Sequence, residues 1–170
     1  GPFPGPILSL VGADDVTLVG LTFTGSATGR AVQASAGSDR LTIDGCAFTG
    51  FGNGCIRIDG PTNQGHVVRN ARFTSNRGTG ALAAISLNAA QTSQVVDCAF
   101  YDCDRGIDLV GSNGAVVARN TFTDLFQSAV VAASSTNLLV EDCRLTRCGQ
   151  LTTPAAWAFP SDELGSISLV

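Results

Sequence analysis

Two aspartates and an arginine stand at matching places in successive segments of this chain. Asp102, Asp124 and Arg147 each lie two residues after one member of an apolar series, Phe100, Phe122 and Leu145. If the segments stack, the carboxylates are separated by about one strand spacing, ~4.8 Å, with a guanidinium one layer beyond. Carboxylates so paired suit glycosidic cleavage: one protonates the leaving oxygen, the other acts as nucleophile, and their coupling is expected to raise one pKa. Arg147 would hold a uronate or stabilise developing charge. Two further readings fit the same residues. Hard carboxylate oxygens suit Ca²⁺, which makes Asp102 and Asp124 a calcium candidate. Alternatively, aspartates at a corner cap turn amides, and the column is structural.

Tyr101, Asp104, Arg105 and Asp108 crowd into the same segment, the most polar of the chain. With Arg147 and Trp157, the residues Tyr101, Arg105 and Asp108 are the candidates for substrate binding. Trp157 belongs to an insertion: Cys103 to Ile107 is a step of four, whereas the equivalent Cys148 to Ile167 is a step of nineteen. Loops on a rigid scaffold commonly carry binding residues, and an exposed indole stacks on a sugar face. The competing reading has Trp157 and Phe159 folding back as a lid over the apolar end of the stack.

The elements that must position these groups are set by a repeat. Phe23, Phe48, Phe73, Phe100 and Phe122 recur at intervals of 25, 25, 27 and 22, and Leu145 follows after 23. Each unit reads apolar, two variable residues, a small residue, one variable residue, Phe: Ile43 to Phe48, Val68 to Phe73, Val95 to Phe100, Val117 to Phe122. A second short strand follows in each unit, as in Ile56-Arg57-Ile58, Ile85-Ser86-Leu87 and Ile107-Asp108-Leu109, where alternation turns the middle residue outward. Turn-forming clusters at 60–63, 111–114 and 134–137 separate the strands, and no stretch keeps a helical period. Helix-free units of this length exclude a doubly wound sheet and predict a solenoid of stacked parallel strands. The columns agree: Asp97, Arg119 and Asp142 follow one another, and Asp44 precedes Arg69, so opposite charges meet.

The Ile/Val-x-x-Asn/Cys-x-Phe repeat resembles the right-handed parallel β-helix of the pectin-lyase-like superfamily over almost the whole chain. The expectation is an all-β right-handed parallel β-helix solenoid of about seven coils of roughly 24 residues, with residues 1–170 forming one domain cut from a longer protein. Leu8 to Val11 copies Ile107 to Val110, and Ile167 to Leu169 copies Ile85 to Leu87. Neither end carries an amphipathic cap, so further coils or domains of the parent, or another chain, are expected to cover them. The resemblance implies a polysaccharide partner and, if the chain is an enzyme, a polysaccharide lyase or glycoside hydrolase. No catalytic constellation of such enzymes can be matched here residue by residue.

Three function classes follow. The first is a polysaccharide-binding or polysaccharide-processing module of a larger secreted or phage tailspike-like protein, located outside the cell, on its surface or on a virion; the tailspike likeness implies a homotrimer. The second is a rigid assembly solenoid without catalysis. The third, ice or mineral binding through the outward threonines, is disfavoured because Arg72 and Arg144 interrupt the neighbouring column.

Composition narrows the partners. A formal charge of −4, with ten arginines, no lysine and no basic run, argues against nucleic acid. No apolar run is long enough to cross a bilayer, so no membrane partner is expected. The column spacing puts Cys98 and Cys143 about two strand spacings apart, too far for a disulfide, and the six cysteines read as buried free thiols. Apart from the calcium candidate at Asp102 and Asp124, no resident cofactor or metal is implied, since the single histidine, His66, is read as a surface residue and leaves a zinc site short of ligands.

Overall fold

The computed structural model describes residues 5–78 and 82–149, and the backbone of the strand Ile167–Leu169. The described residues form nineteen strands and no helix. They assemble into three parallel sheets, one of seven strands and two of six. The chain visits first, second and third sheet in turn, so each sheet is built from every third strand. Where the repeat predicts about seven coils, the chain completes about six turns. Ile167 pairs with Val130, the preceding first-sheet strand, so the long step after Cys148 adds residues without adding a turn.

The repeat unit also divides more finely than its sequence suggests. Ile43 to Phe48 is two strands, Thr42–Asp44 and Ala47–Thr49, lying in the second and third sheets. The break falls three residues before each aromatic, where Gly20, Gly45, Asn70, Asp97, Arg119 and Asp142 all take positive φ, between 52° and 64°. A left-handed residue turns the strand sharply, and Gly, Asn and Asp adopt that geometry at least cost. A corner of the same kind follows the third sheet, at Gly50, Ser75, Asp102, Asp124 and Arg147.

The interior is held by the columns. Phe23, Phe48, Phe73, Phe100 and Phe122 stack face to face with centroids 4.7 to 5.0 Å apart. That separation is the strand spacing itself, so the backbone ladder and the ring stack enforce one register. Buried asparagines tie the corners between coils: Asn120 accepts from the Cys98 N–H at 2.9 Å and donates to the Val95 carbonyl at 2.8 Å. Asn76 does the same for Phe51 and Phe48, at 2.9 and 3.2 Å. All six cysteines are free. Burial pushes the Cys98 thiol up to about 12 and Cys103 up to about 11, which leaves little thiolate to react.

Candidate functional site

Asp102 and Asp124 sit on consecutive coils at the corner after the third sheet, both with positive φ. Each carboxylate already has its own cation. Asp124 receives Arg147 in two-pronged fashion, Nε at 2.5 Å and Nη2 at 2.8 Å. Asp102 accepts from the Ser75 hydroxyl at 3.0 Å and pairs with Arg77 Nη2 at 2.6 Å. Arg77 also lies 5.5 Å over the Phe126 ring, which fixes its planar head. The sequence leads one to expect a carboxylate raised by its neighbour; Asp124 departs from that. Hydrogen bonds from Arg147 hold its carboxyl below the ordinary value of 3.8, because they favour the charged form. A calcium ion at this pair would have to displace Arg77 and Arg147. Among the described residues no three His, Cys, Asp or Glu gather into a metal-binding group.

Arg105 and Asp108 lie around the corner, in the first-sheet strand Arg105–Val110, while Tyr101 ends the third-sheet strand Ala99–Tyr101. The most polar segment of the sequence is therefore split between two faces. Arg105 donates to Gln127 Oε1 at 2.7 Å and reaches Asp108 Oδ2 at 3.4 Å. Asp108 Oδ1 is buried without a partner, and burial raises this carboxyl despite Arg105. Asp104 is only 5% exposed and accepts the Gly78 N–H of the preceding coil at 2.8 Å. Trp157 lies outside the described residues.

His66 corrects its sequence reading. It is 1% exposed, because it occupies the inward column between Leu41 and Ser93, and its Nδ1 accepts the Leu41 N–H at 3.3 Å. Burial without a partner at Nε2 depresses its basicity.

The third sheet's outer face brings Tyr101 together with the outward threonines and with Arg72 and Arg144. Its strands are Thr-Phe-Thr, Ala-Phe-Thr, Arg-Phe-Thr, Ala-Phe-Tyr, Thr-Phe-Thr and Arg-Leu-Thr, and none contains Asp or Glu. A shallow recess of about 240 Å³ opens there, lined by Arg72, Thr74, Ala99, Phe100, Tyr101, Thr121 and Thr123. Tyr101 is 50% exposed, although the aromatics of the repeat are buried beneath it. Arg72 and Arg144 are exposed and have no carboxylate in ion-pair contact among the described residues. The signal was legible in the columns: the arginines read as interruptions of a threonine surface are its only charges.

A closed stack of three-sheet coils, with chemistry displayed on outer rows, defines a solenoid protein. The family model described as "Right handed beta helix region" matches residues 7–157, and the chain belongs to that family. No curated protein matches it. Among solved structures it is similar to HetL, a pentapeptide repeat protein involved in heterocyst differentiation regulation from the cyanobacterium Nostoc sp. strain PCC 7120. That likeness has 13% identity, 83% coverage of this chain, 84% of that one and a TM-score of 0.16, a value that supports no comparison of function or architecture.

Proposed function

We propose that this solenoid is a glycan-binding module whose working surface is the outer face of the third sheet. The reading rests on the half-exposed Tyr101 ring, standing at the edge of a shallow recess among threonine hydroxyls. A rigid aromatic beside hydroxyl donors on a flat β surface provides a stacking platform and directional hydrogen bonds, the two things a sugar ring requires. We read Asp102 and Asp124 as members of the corner charge ladders rather than as an acid and a nucleophile, since both are engaged by arginine. The setting that fits is extracellular, on a cell surface or on a virion, as part of a larger, trimeric assembly. Five of the six free thiols are buried and Cys143 is half-buried, and burial raises Cys55, Cys98, Cys103 and Cys148, which makes these four poor nucleophiles in such a setting.

The test is calorimetry of the whole chain against neutral and uronate-containing oligosaccharides, with unsaturated products and reducing ends followed in the same samples. Binding without turnover, lost in Tyr101→Ala, is expected. Turnover abolished by Asp124→Asn would return the corner carboxylates to catalysis. Absence of both binding and turnover would leave the rigid scaffold, which the uninterrupted ring stack and charge ladders also favour.

A further inference from the structure

We propose that the ligand of the third-sheet face is a polyanionic glycan laid parallel to the solenoid axis, with acidic groups seated on Arg72 and Arg144. This rests on reading that face as a glycan surface and adds the charge, direction and spacing of the ligand.

This chain pairs its other exposed arginines with carboxylates. Arg40 meets Asp15, Arg69 meets Asp44, Arg119 meets Asp97 and Arg147 meets Asp124, each across one coil. Arg57 binds Asp59, Arg77 binds Asp102 and Arg105 reaches Asp108. Arg30, which has no carboxylate, is half-buried and donates to the Asn53 carbonyl and Gln33 Oε1. Arg72 and Arg144 alone among the described arginines are exposed without such a partner. Both project from one sheet in a protein whose formal charge is −4.

Their geometry carries the rest. Arg72, Ala99, Thr121 and Arg144 are consecutive partners in one outward column. Three strand spacings put the two guanidinium-bearing residues about 14 Å apart along the axis. The neighbouring column runs Thr74, Tyr101, Thr123, Thr146, so the aromatic ring falls between the two cations in axial position. A chain that stacks one sugar on Tyr101 would carry acidic groups on either side toward an arginine. Guanidinium groups recognise carboxylates and sulfates through paired N–H donors. The absence of carboxylates from the face removes both competition for the arginines and repulsion of the ligand.

The test uses the full chain, with polygalacturonate hexamer and a sulfated glycan hexamer against an uncharged hexamer of matched linkage, at low and raised salt. Arg72→Gln and Arg144→Gln are each expected to weaken acidic-glycan binding about tenfold, with a reduced salt slope, while the ion-paired control Arg119→Gln leaves it unchanged. An acidic dimer, too short to span both arginines, should respond to only one of the two substitutions. Equal affinity for the uncharged hexamer, unmoved by either substitution but lost in Tyr101→Ala, would overturn the polyanion assignment and keep the glycan surface. Acidic binding insensitive to Tyr101→Ala and matched by single-stranded DNA would overturn both. An equal loss in Arg119→Gln would show that general charge, not this column, governs binding.

Discussion

The corners of this solenoid and the flat sheet between two of them handle charge in opposite ways. At the corner before the third sheet, Arg119 grips Asp97 at 2.8 and 2.7 Å; at the corner after it, Arg147 grips Asp124. On the sheet between, Arg72 and Arg144 face solvent with threonine, alanine and tyrosine as neighbours. A stack with a fixed repeat brings every charge within reach of the same position one coil away, so pairing costs nothing more than placing an acid there. Where the chain has not done so, twice and on one face, the charge is available to something outside it.

The largest change expected concerns what lies beneath both regions. Phe100 packs between Phe73 and Phe122, with centroids 4.7 and 4.8 Å away, and is fully enclosed. Phe100→Ala should lower the unfolding free energy by about 3–5 kcal/mol, read from urea titration, since stacked coils cannot close the gap without breaking strand register. A loss under 1 kcal/mol would mean that the ring column fills space without fixing the face above it.

Next in size is a substitution that converts the sheet into a corner. Ala99 lies beside Arg72 in the outward column, one strand spacing away. Ala99→Asp would give Arg72 the partner that every corner arginine already has. Acidic-glycan affinity should fall by more than tenfold while the thermal midpoint stays within about one degree, because an exposed ion pair contributes little. Unchanged affinity would show that binding lies elsewhere on the molecule.

The ladder itself is legible in the sequence, because period alone specifies which residues become neighbours: Asp97 with Arg119 and Asp44 with Arg69 pair as the columns require. The division between second and third sheets is not legible there, since the corner between them is made by one left-handed residue that can be Gly, Asn, Asp or even Arg119, and no residue type announces it. The burial of His66 is hidden for a related reason. One polar residue opening a strand looks exposed, and only its column, between Leu41 and Ser93, puts it inside. The pairing of Arg77 with Asp102 lies off the strand register, where counting along the repeat gives no guide.

Acid should separate the regions further. Asp97 and Asp124 have folded-state carboxyls below 3.8, chiefly through their arginine hydrogen bonds, so the stability they confer is complete above that value. It is lost as pH falls from 3.8 through the lowered folded values. His66, held neutral by burial, acts in a higher window: below 6.5 the unfolded chain takes up a proton that the folded chain resists, so stability declines from there toward the depressed folded value. His66→Gln should flatten the upper limb and leave the lower one. Asp108 has the opposite sign, because burial raises its carboxyl and makes the charge a cost at neutral pH. Asp108→Asn should therefore stabilise the protein near pH 7, with the gain disappearing in acid; the same midpoint shift at pH 3 and pH 7 would refute that account.

The smallest expected effect is the most informative about the comparison. Arg119 and Asp97 are both substantially exposed, with side chains 52% and 41% accessible, and water screens their attraction. The corner they decorate is held independently, by the Asp97 N–H to the Ala118 carbonyl at 3.1 Å and the Arg119 N–H to the Glu141 carbonyl at 3.1 Å. Arg119→Gln should therefore barely move the urea midpoint at neutral pH. Its visible consequence is confined to acid, where Asp97, freed from its guanidinium, returns toward its ordinary value and stops contributing to the low-pH limb. If this substitution unfolds the chain as readily as a core truncation, the corner charges are structural necessities. The contrast with Arg72 would then reflect local strain rather than a surface kept open for a ligand.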